Sequence, residues 1–250
     1  MIMKSLSGYQ ISFDEYRQKN SSLTVIAMHG FAGDRTSRCI SKLQKRMQLQ
    51  NISLITFDWP AHGESEAEGR SLRIKNCLND LKTVCDYVKE NHPEESILAF
   101  STSFGAYITL LFHQIYPRML KGMILRAPAI RMYRILTENI LDSAALGQLN
   151  ENGVCSFGFE RQIQIHREFL EDLKANDIME LYKNSAVDNI DIIQGDKDVT
   201  APVEDSLEFG RITQAEIHLI AGANHRFDQA GQVEQVIDTA EDIISRKYAE

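Results

Sequence analysis

The segment from Ser96 to Tyr107 constrains the fold more than any other part of the chain. An apolar run ends in Ser101-Thr-Ser-Phe-Gly105 and is followed directly by an apolar-periodic helical pattern. This sequence pattern predicts a strand, a sharp turn at Ser103 and a helix that begins just beyond the turn. Gly105 allows the helix to lie close to the strand. A strand that leads straight into a helix is the repeating unit of a parallel sheet flanked by helices.

The same alternation of strand and helix extends over most of the chain. Apolar runs and helical periodicity predict two antiparallel edge strands within Ser5–Arg17, strands at Leu23–Met28, Ile52–Phe57, Ile97–Phe100, Leu120–Leu125, Asn189–Gln194 and Glu216–Ile220, and helices at Ser37–Gln50, Arg73–Glu90, Phe104–Tyr116, Val203–Phe209 and Gly231–Arg246. Together they predict an α/β fold with a mostly parallel central sheet.

The alternation stops in the middle of the chain, where no buried strand is indicated. Helical patterns at Tyr133–Ala145 and Arg161–Leu173 flank Gly153–Gly158, which allows a hairpin. We interpret this block as an insertion that covers the top of the sheet. The predicted organisation is a core of residues 1–129 and 187–250 and an inserted lid of residues 130–186.

Charge and cysteine usage exclude several classes of protein. The formal net charge is −8, whereas a nucleic-acid-binding protein normally carries a basic face. The same charge argues against anionic membranes, and no segment reaches a membrane span of about 20 apolar residues. Four scattered cysteines, with no CxxC pair and no histidine cluster, indicate neither a metal site nor a disulfide framework. Without a signal-peptide pattern, we expect a cytoplasmic protein.

Ser103 is the candidate nucleophile. A sharp strand-to-helix turn exposes one hydroxyl above the sheet, and the free N–H groups of the helix face the reacting centre, where developing negative charge needs donors. Ser101 is a rival, because it also has small residues two positions away. Ser103 is preferred because Gly105 follows it and the helical pattern begins directly after it. The pentapeptide alone is also compatible with an ordinary helix N-cap.

Two further strand ends supply a candidate acid and a candidate base. Asp198 follows the penultimate strand in the loop Gly195–Pro202, and His225 follows the last strand. An imidazole can take the serine proton and return it to the leaving group, while a carboxylate fixes the imidazole tautomer. Asp196 is the rival acid, but Asp198 lies further out along the loop, where the chain enters the next helix.

The turn after the first buried parallel strand reads His29-Gly30-Phe31. It can present the Phe31 amide beside the Phe104 amide, so that the two form an oxyanion hole in which each donor contributes about 3 kcal/mol to the transition state. His29 is expected to bond nearby backbone groups, and His29 and Gly30 are expected to line the substrate site. The loop Asp58–Ser65 is interpreted as structural.

With these residues in place, the chain resembles the α/β-hydrolase superfamily over essentially its whole length. Within it, the chain is similar to the group of cinnamoyl (feruloyl) esterases, monoacylglycerol-lipase-like enzymes and serine aminopeptidase-like hydrolases. The motifs are, in order, His29-Gly30, Asp58…His62-Gly-Glu-Ser65, the turn at Ser103, Gly195…Asp198…Pro202 and Gly222…His225-Arg-Phe227. Ser101 departs from the usual first glycine of the turn. The resemblance implies an α/β-hydrolase fold with Ser103 as nucleophile, Asp198 as acid, His225 as base, and Phe31 and Phe104 as oxyanion donors.

The resemblance also implies an activity. It is that of a serine carboxylic-ester hydrolase that needs no cofactor and acts on a small aromatic or short- to medium-chain ester. Aromatic side chains of the lid either line a pocket for the acyl group or pack against one another: Tyr133, Phe157, Phe159, Phe169 and Tyr182.

Other functions use the same residues. An aminopeptidase, a thioesterase or an acyltransferase needs the same serine, acid and base. A peptidase would also need a carboxylate for the substrate amine, for which Glu151, Glu160 and Asp177 are available in the lid. A non-catalytic binding protein on the same fold is a third hypothesis. The presence of the serine, the acid and the histidine argues against it. The oligomeric state is left open.

Overall fold

Residues 1–158 and 162–248, which the computed structural model describes, form an eight-stranded sheet, a two-stranded hairpin and the surrounding helices. The strands are β1 (Ile2–Lys4), β2 (Gln10–Tyr16), β3 (Leu23–Met28), β4 (Ser53–Phe57), β5 (Ser96–Thr102), β6 (Gly122–Arg126), β7 (Val154–Phe157), β8 (Ile163–His166), β9 (Ile190–Gly195) and β10 (Glu216–Ile220). The order across the large sheet is β1-β2-β4-β3-β5-β6-β9-β10. The pairs β1–β2 and β2–β4 are antiparallel, and the other pairs of this sheet are parallel.

Helices cover both faces of this sheet. They are α1 (Arg38–Leu49), α2 (Ile74–Asn91), α3 (Phe104–Ile115), α4 (Met132–Arg134), α5 (Ser143–Asn152), α6 (Arg167–Ala175), α7 (Ile178–Tyr182), α8 (Val203–Thr213) and α9 (Gln232–Lys247), with a 3₁₀ turn at Gly69–Ser71 and a π-helical stretch at Ile135–Ile140. None of the helices in the described residues is long and apolar enough to cross a membrane.

The central strands are buried on both sides, which explains why their sequences are continuous runs of apolar residues. Every residue of β3, β4 and β6 is buried. One hydrophobic cluster lies beneath α1 and α9, and another lies beneath α2, α3 and α8 on the opposite face. The predicted α/β fold with a mostly parallel central sheet is confirmed.

The N-terminal edge begins earlier than predicted. The first strand, β1, lies before Ser5 instead of within Ser5–Arg17. The residues after it form a turn, in which the Ser5 amide donates to the Tyr9 carbonyl at 2.8 Å and Gly8 has a φ of +98°. Because glycine adopts this left-handed conformation without steric cost, the chain reverses there and β2 starts at Gln10.

The middle segment, residues 130–186, departs most from the predicted helices. The helix predicted at Tyr133–Ala145 is interrupted at Leu141, which is extended with a ψ of 131°. A new helix, α5, then starts because the Asp142 side chain accepts from the Ala145 amide at 2.8 Å and caps it. It ends at Gly153, whose φ of 75° is left-handed.

The helix predicted at Arg161–Leu173 is wrong over its first half. Arg161 lies outside the described residues, and Ile163–His166 forms strand β8, which pairs antiparallel with β7. Ile163 and Ile165 are buried and Gln164 is exposed, so this stretch has the period of a strand. The predicted hairpin within Gly153–Gly158 is also wrong, because that stretch supplies only one of the two strands.

The middle segment rests on α2 and α3. Arg73, just before α2, forms a bidentate ion pair with Asp172 of α6, with both N–O distances at 2.6 Å. The Tyr107 hydroxyl of α3 donates to the Asn176 carbonyl at 2.9 Å. These contacts hold the segment above the carboxyl ends of the central strands.

A buried carboxyl joins the N-terminal turn to α2. Asp80 of α2 is fully buried and accepts hydrogen bonds from the Ser5 hydroxyl and, at 2.8 Å, from the Tyr9 hydroxyl. Burial raises the pKa of Asp80 to about 7, although both hydrogen bonds favour its charged form. The Asp80 carboxyl is therefore protonated in the folded protein in a pH range where it is ionised in the unfolded chain.

This carboxyl predicts a pH dependence of stability. Because the folded state binds the extra proton between about pH 4 and 7, the free energy of unfolding contributed by Asp80 falls as the pH rises through that window. The variant Asp80→Asn cannot titrate at this position. Over this pH range its free energy of unfolding should therefore fall by up to a few kcal/mol less than that of wild type. Urea denaturation at several pH values measures the difference. The variant Asp86→Asn, on the same helix, is the matched control. Equal slopes for wild type and Asp80→Asn would contradict the assignment.

Candidate active site

The turn at Ser103 joins β5 to α3 in a strained conformation. Ser103 has a φ of 51° and a ψ of −110°, which non-glycine residues adopt rarely. The sheet holds it there, because the Ser103 amide donates to the Arg126 carbonyl at 3.0 Å and the Ala129 amide donates to the Ser103 carbonyl at 3.2 Å. Its side chain makes no capping bond to α3. The hydroxyl is therefore free for other contacts.

The hydroxyl of Ser103 begins a chain of hydrogen bonds. Its Oγ lies 3.1 Å from Nε2 of His225, and Nδ1 of the same ring lies 2.8 Å from Oδ2 of Asp198. Because a carboxylate only accepts hydrogen bonds, the proton of the imidazole sits on Nδ1 and Nε2 is left as the acceptor for the serine hydroxyl. The structure thus brings together the three residues predicted as nucleophile, base and acid.

The Asp198 carboxylate is held by donors on both oxygens. Oδ1 accepts from the Thr200 and Ala201 amides, both at 2.9 Å. Oδ2 accepts from Nε2 of Gln194 at 2.9 Å as well as from His225. Gln194 is itself fixed, since its Oε1 accepts from the Ser206 hydroxyl at 2.9 Å. This network fixes the orientation of the carboxylate that faces the imidazole.

The two rival residues lie in other environments. Asp196 accepts from the Gly222 amide at 2.6 Å and so ties two loops together. Ser101 is fully buried, and its hydroxyl has no hydrogen-bond partner within residues 1–158 and 162–248. Neither of these side chains contacts His225 in the described residues.

The two amides predicted as oxyanion donors belong to neighbouring turns. Phe104 is the first residue of α3, and Phe31 follows β3. Neither amide donates to an acceptor among the described residues. A Cβ on Gly30 would lie only 3.2 Å from Cβ of Ser103, and one on Gly105 would lie 2.6 Å from the His29 carbonyl oxygen. The missing side chains therefore allow the two turns to approach closely.

His29 fixes the turn that contains Gly30. Its Nδ1 donates to the Gly30 carbonyl at 2.8 Å, and its Nε2 accepts from the Trp59 amide at 3.2 Å. The Trp59 indole donates back to the His29 carbonyl at 3.0 Å. His29 and Gly30 both line the cleft at Ser103, but the ring nitrogens of His29 are engaged with backbone groups.

An aromatic cluster lies on one side of Ser103. The Phe31 ring stacks on Phe169 of the middle segment, with centroids 6.1 Å apart, and Phe157 lies 5.9 Å from Phe31. Phe169 also meets the Phe104 ring edge-on at 5.9 Å and is fully buried. Tyr133 lines a separate cavity of about 280 Å³ beside α6. Two residues considered from the sequence, Phe159 and Glu160, lie outside the described residues.

An open cleft of about 450 Å³ lies beside Ser103, and Phe31 of the aromatic cluster also lines it. His225 borders it, together with the first turn of α1. The charged side chains along this cleft are Arg38, Arg126, Arg226 and Asp228.

Two residues of the site, Gln194 and Arg126, were not identified from the sequence. Each is a polar residue at or near the carboxyl end of an apolar strand, and this position is the sequence feature that could have identified them.

A cluster of metal-ligating types lies outside the cleft. Asp191, Glu216 and His218 converge at the edge of the sheet. The ammonium of Lys247 donates to Asp191 and to Glu216, each at 2.9 Å. The cationic side chain therefore occupies the position that an ion would take.

The fold and the order of these elements define an α/β-hydrolase. A family model described as serine aminopeptidase, S33, matches residues 19–150, and the chain belongs to this family. The group suggested by the sequence motifs is thereby confirmed. No curated protein sequence matches the chain.

Solved structures share this fold over its full length. Est1E from Butyrivibrio proteoclasticus, in a complex with ferulic acid, has a TM-score of 0.84 and 18% identity, with 100% of each chain covered. Alpha/beta hydrolase domain-containing protein 10 from mouse has a TM-score of 0.76 and 14% identity, with 98% of each chain covered. At such identities the likeness concerns the fold.

The close approach at Gly105 predicts a substitution effect. In Gly105→Ala the new methyl group meets the His29 carbonyl, so the free energy of unfolding should fall by about 1–3 kcal/mol. The matched control is Gly147→Ala in α5, where a Cβ meets no atom within 4 Å. Removing that helical glycine should raise the free energy of unfolding by about 0.5–1 kcal/mol. Denaturation curves measure both, and equal effects of the two variants would contradict this packing account.

Proposed function

We propose that the protein is a serine carboxylic-ester hydrolase that acts through an acyl-enzyme. The observation that carries this proposal is the continuous contact from Ser103 through His225 to Asp198, at 3.1 and 2.8 Å. Hydroxyl, imidazole and carboxylate in this order are the groups that convert a weak serine nucleophile into an effective one.

In the first half of the reaction, Oγ of Ser103 attacks the ester carbonyl while Nε2 of His225 takes the hydroxyl proton. The tetrahedral intermediate carries its negative charge on the former carbonyl oxygen, for which the Phe31 and Phe104 amides are the proposed donors. The bond to the leaving oxygen then breaks. His225 returns the proton to that oxygen, and the alcohol departs, leaving an acyl group on Ser103.

In the second half, water repeats the attack on the acyl-enzyme. His225 takes a proton from the water, a second tetrahedral intermediate forms, and its collapse releases the carboxylic acid and returns the proton to Ser103. The Asp198 carboxylate stabilises the imidazolium in both halves. The bonds from Thr200, Ala201 and Gln194 keep that carboxylate in place.

A small aromatic or short- to medium-chain acyl group is the proposed substrate feature. Phe31, Phe157 and Phe169 form an aromatic surface next to the turn at Ser103, and the similar fold of Est1E has been seen with ferulic acid. Phe31 lines the open cleft, whereas Phe169 is fully buried, so an acyl group contacts Phe169 only when the middle segment shifts. We therefore propose that residues 130–186 act as the lid.

The charges at the site favour an ester over an N-terminal peptide. A free amine needs a carboxylate nearby, whereas arginines dominate the cleft. Among the acids considered from the sequence, Asp177 caps α7 by accepting from the Met179 amide at 2.8 Å, and Glu151 is exposed on α5.

Replacement of Ser103 tests the nucleophile. The variant Ser103→Ala should lower kcat for p-nitrophenyl butyrate by at least about 10³-fold, since the acyl-enzyme cannot form. The matched control is Ser101→Ala, which removes a buried hydroxyl that has no partner and should retain activity. The panel should also include p-nitrophenyl acetate, methyl ferulate and an aminoacyl nitroanilide. Activity in Ser103→Ala equal to wild type, or turnover of the nitroanilide alone, would contradict the proposal.

Replacement of the acid tests the orientation of the histidine. In Asp198→Asn the amide can no longer hold the proton on Nδ1, and kcat should fall by about 10²–10⁴-fold, with KM changing much less. The control Asp196→Asn alters the neighbouring carboxyl, which bonds a loop amide, and kcat should stay within a few-fold of wild type. The account fails if the two variants exchange these effects.

A further inference from the structure

The cleft beside Ser103 is locally cationic in a protein whose net charge is −8. Three of the four charged side chains that line it are arginines, and the fourth, Asp228, is exposed and accepts from the Asn224 amide group at 3.1 Å. Arg38 and Arg226 are also exposed. Arg126 is the exception, because only 7% of it is exposed.

Arg126 is a buried cation that forms no ion pair with the described residues. Its Nη2 donates to the Arg226 carbonyl at 3.0 Å, and the guanidinium lies 4.5 Å from the centroid of the Phe227 ring. Its Nε is buried and has no hydrogen-bond partner in the part of the chain that the structure describes. No carboxylate of the described residues lies within ion-pair distance. Because a buried charge is costly unless it is paired, this arrangement leaves room for an anion supplied from outside.

The first turn of α1 faces the same cleft. Ser37, Arg38 and Cys39 line it, and the amides of Arg38 and Cys39 have no acceptor among the described residues. The Ser37 side chain makes no capping bond, and this turn contains no acidic residue. Burial raises the pKa of Cys39 and the Arg126 charge opposes that rise, because the guanidinium lies close to this turn. Free amides at the start of a helix favour negative charge.

Arg126 and Ser103 line the same cleft, and their backbones are adjacent. Arg126 ends β6 and pairs in register with Thr102, the residue before Ser103. Its carbonyl accepts from the Ser103 amide at 3.0 Å. A molecule bound at Ser103 and extending into the cleft therefore passes Arg126.

We propose that Arg126 and the first turn of α1 form an anion-binding subsite, and that the favoured substrate is an ester bearing a carboxylate or phosphate group. This inference rests on the proposed ester hydrolysis, and it adds a charge requirement to the aromatic surface around Phe31. A guanidinium pairs with either anion through parallel N–H bonds.

The test compares anionic esters with neutral esters of matched acyl-chain length. 4-Acetoxybenzoate carries a carboxylate on the leaving group and 4-acetoxyphenyl phosphate carries a phosphate there, and phenyl acetate is the neutral ester for both. Monophenyl glutarate carries a carboxylate on the acyl group, and phenyl pentanoate is its neutral ester. For wild type, kcat/KM for at least one anionic ester should exceed that for the matching neutral ester by at least about tenfold. The pattern among the anionic esters separates carboxylate from phosphate, and acyl side from leaving-group side.

Variants assign the preference to Arg126. The ratio of kcat/KM for anionic over neutral ester should fall at least about tenfold in Arg126→Gln and recover in part in Arg126→Lys, which restores the charge. The control Arg118→Gln removes an exposed arginine outside the cleft and should keep the wild-type ratio. A folded Arg126→Gln protein with the wild-type ratio, or a wild type with no preference for anions, would overturn the inference.

A binding measurement separates this inference from the proposed function. Calorimetric titration of Ser103→Ala with benzoate and with phenyl phosphate should show binding to at least one of them. This binding should weaken in the double variant Ser103→Ala, Arg126→Lys. Lysine retains a cation at this position, so this variant can be used if Arg126→Gln does not fold. Anion binding without Ser103-dependent ester turnover would reject the hydrolase and keep the subsite. Turnover of neutral esters without any anion binding would reject the subsite alone.

Discussion

The strained turn at Ser103 is the constraint on which the rest of the site depends. A φ of 51° and a ψ of −110° persist because both backbone groups of this residue are hydrogen-bonded, the amide to Arg126 at the end of β6 and the carbonyl to Ala129 in the loop that follows. Glycines at positions 30 and 105 let the neighbouring turn approach. Strain of this kind costs of the order of 1–3 kcal/mol. The buried central strands offset that cost and hold the hydroxyl toward His225.

The surroundings of Ser103 combine two chemistries. Aromatic rings from the turn after β3 and from the middle segment pack against one another around Phe31. The open cleft, which Phe31 also lines, is bordered by Arg126 and by the first turn of α1. A serine next to both an apolar surface and a cationic one is suited to an ester that carries both an apolar and an anionic part. This combination comes from the side chains placed on the fold, since the fold itself supports many functions.

The core of the fold and the Ser103, Asp198 and His225 contacts could be predicted from the sequence because they follow local rules. Central strands read as apolar runs, and each candidate side chain lies within five residues of the end of a strand. The middle segment could not be predicted in the same way. The alternation of Ile163 and Ile165 with polar residues is short, and the break at Leu141 depends on the Asp142 cap. The role of Arg126 could not be predicted, because the sequence shows only a single charged residue at a strand end. That no carboxylate of the described residues pairs with it is visible only in the structure.

The most direct test of the central claim is to react the protein with a fluorophosphonate and to locate the adduct by peptide mass spectrometry. The reagent phosphonylates a serine only when a neighbouring base activates its hydroxyl, so it reports on the nucleophile without any assumption about the substrate. The account predicts one adduct, on Ser103, and its loss in His225→Ala. An unlabelled folded protein, or an adduct on another residue such as Ser101, would contradict it.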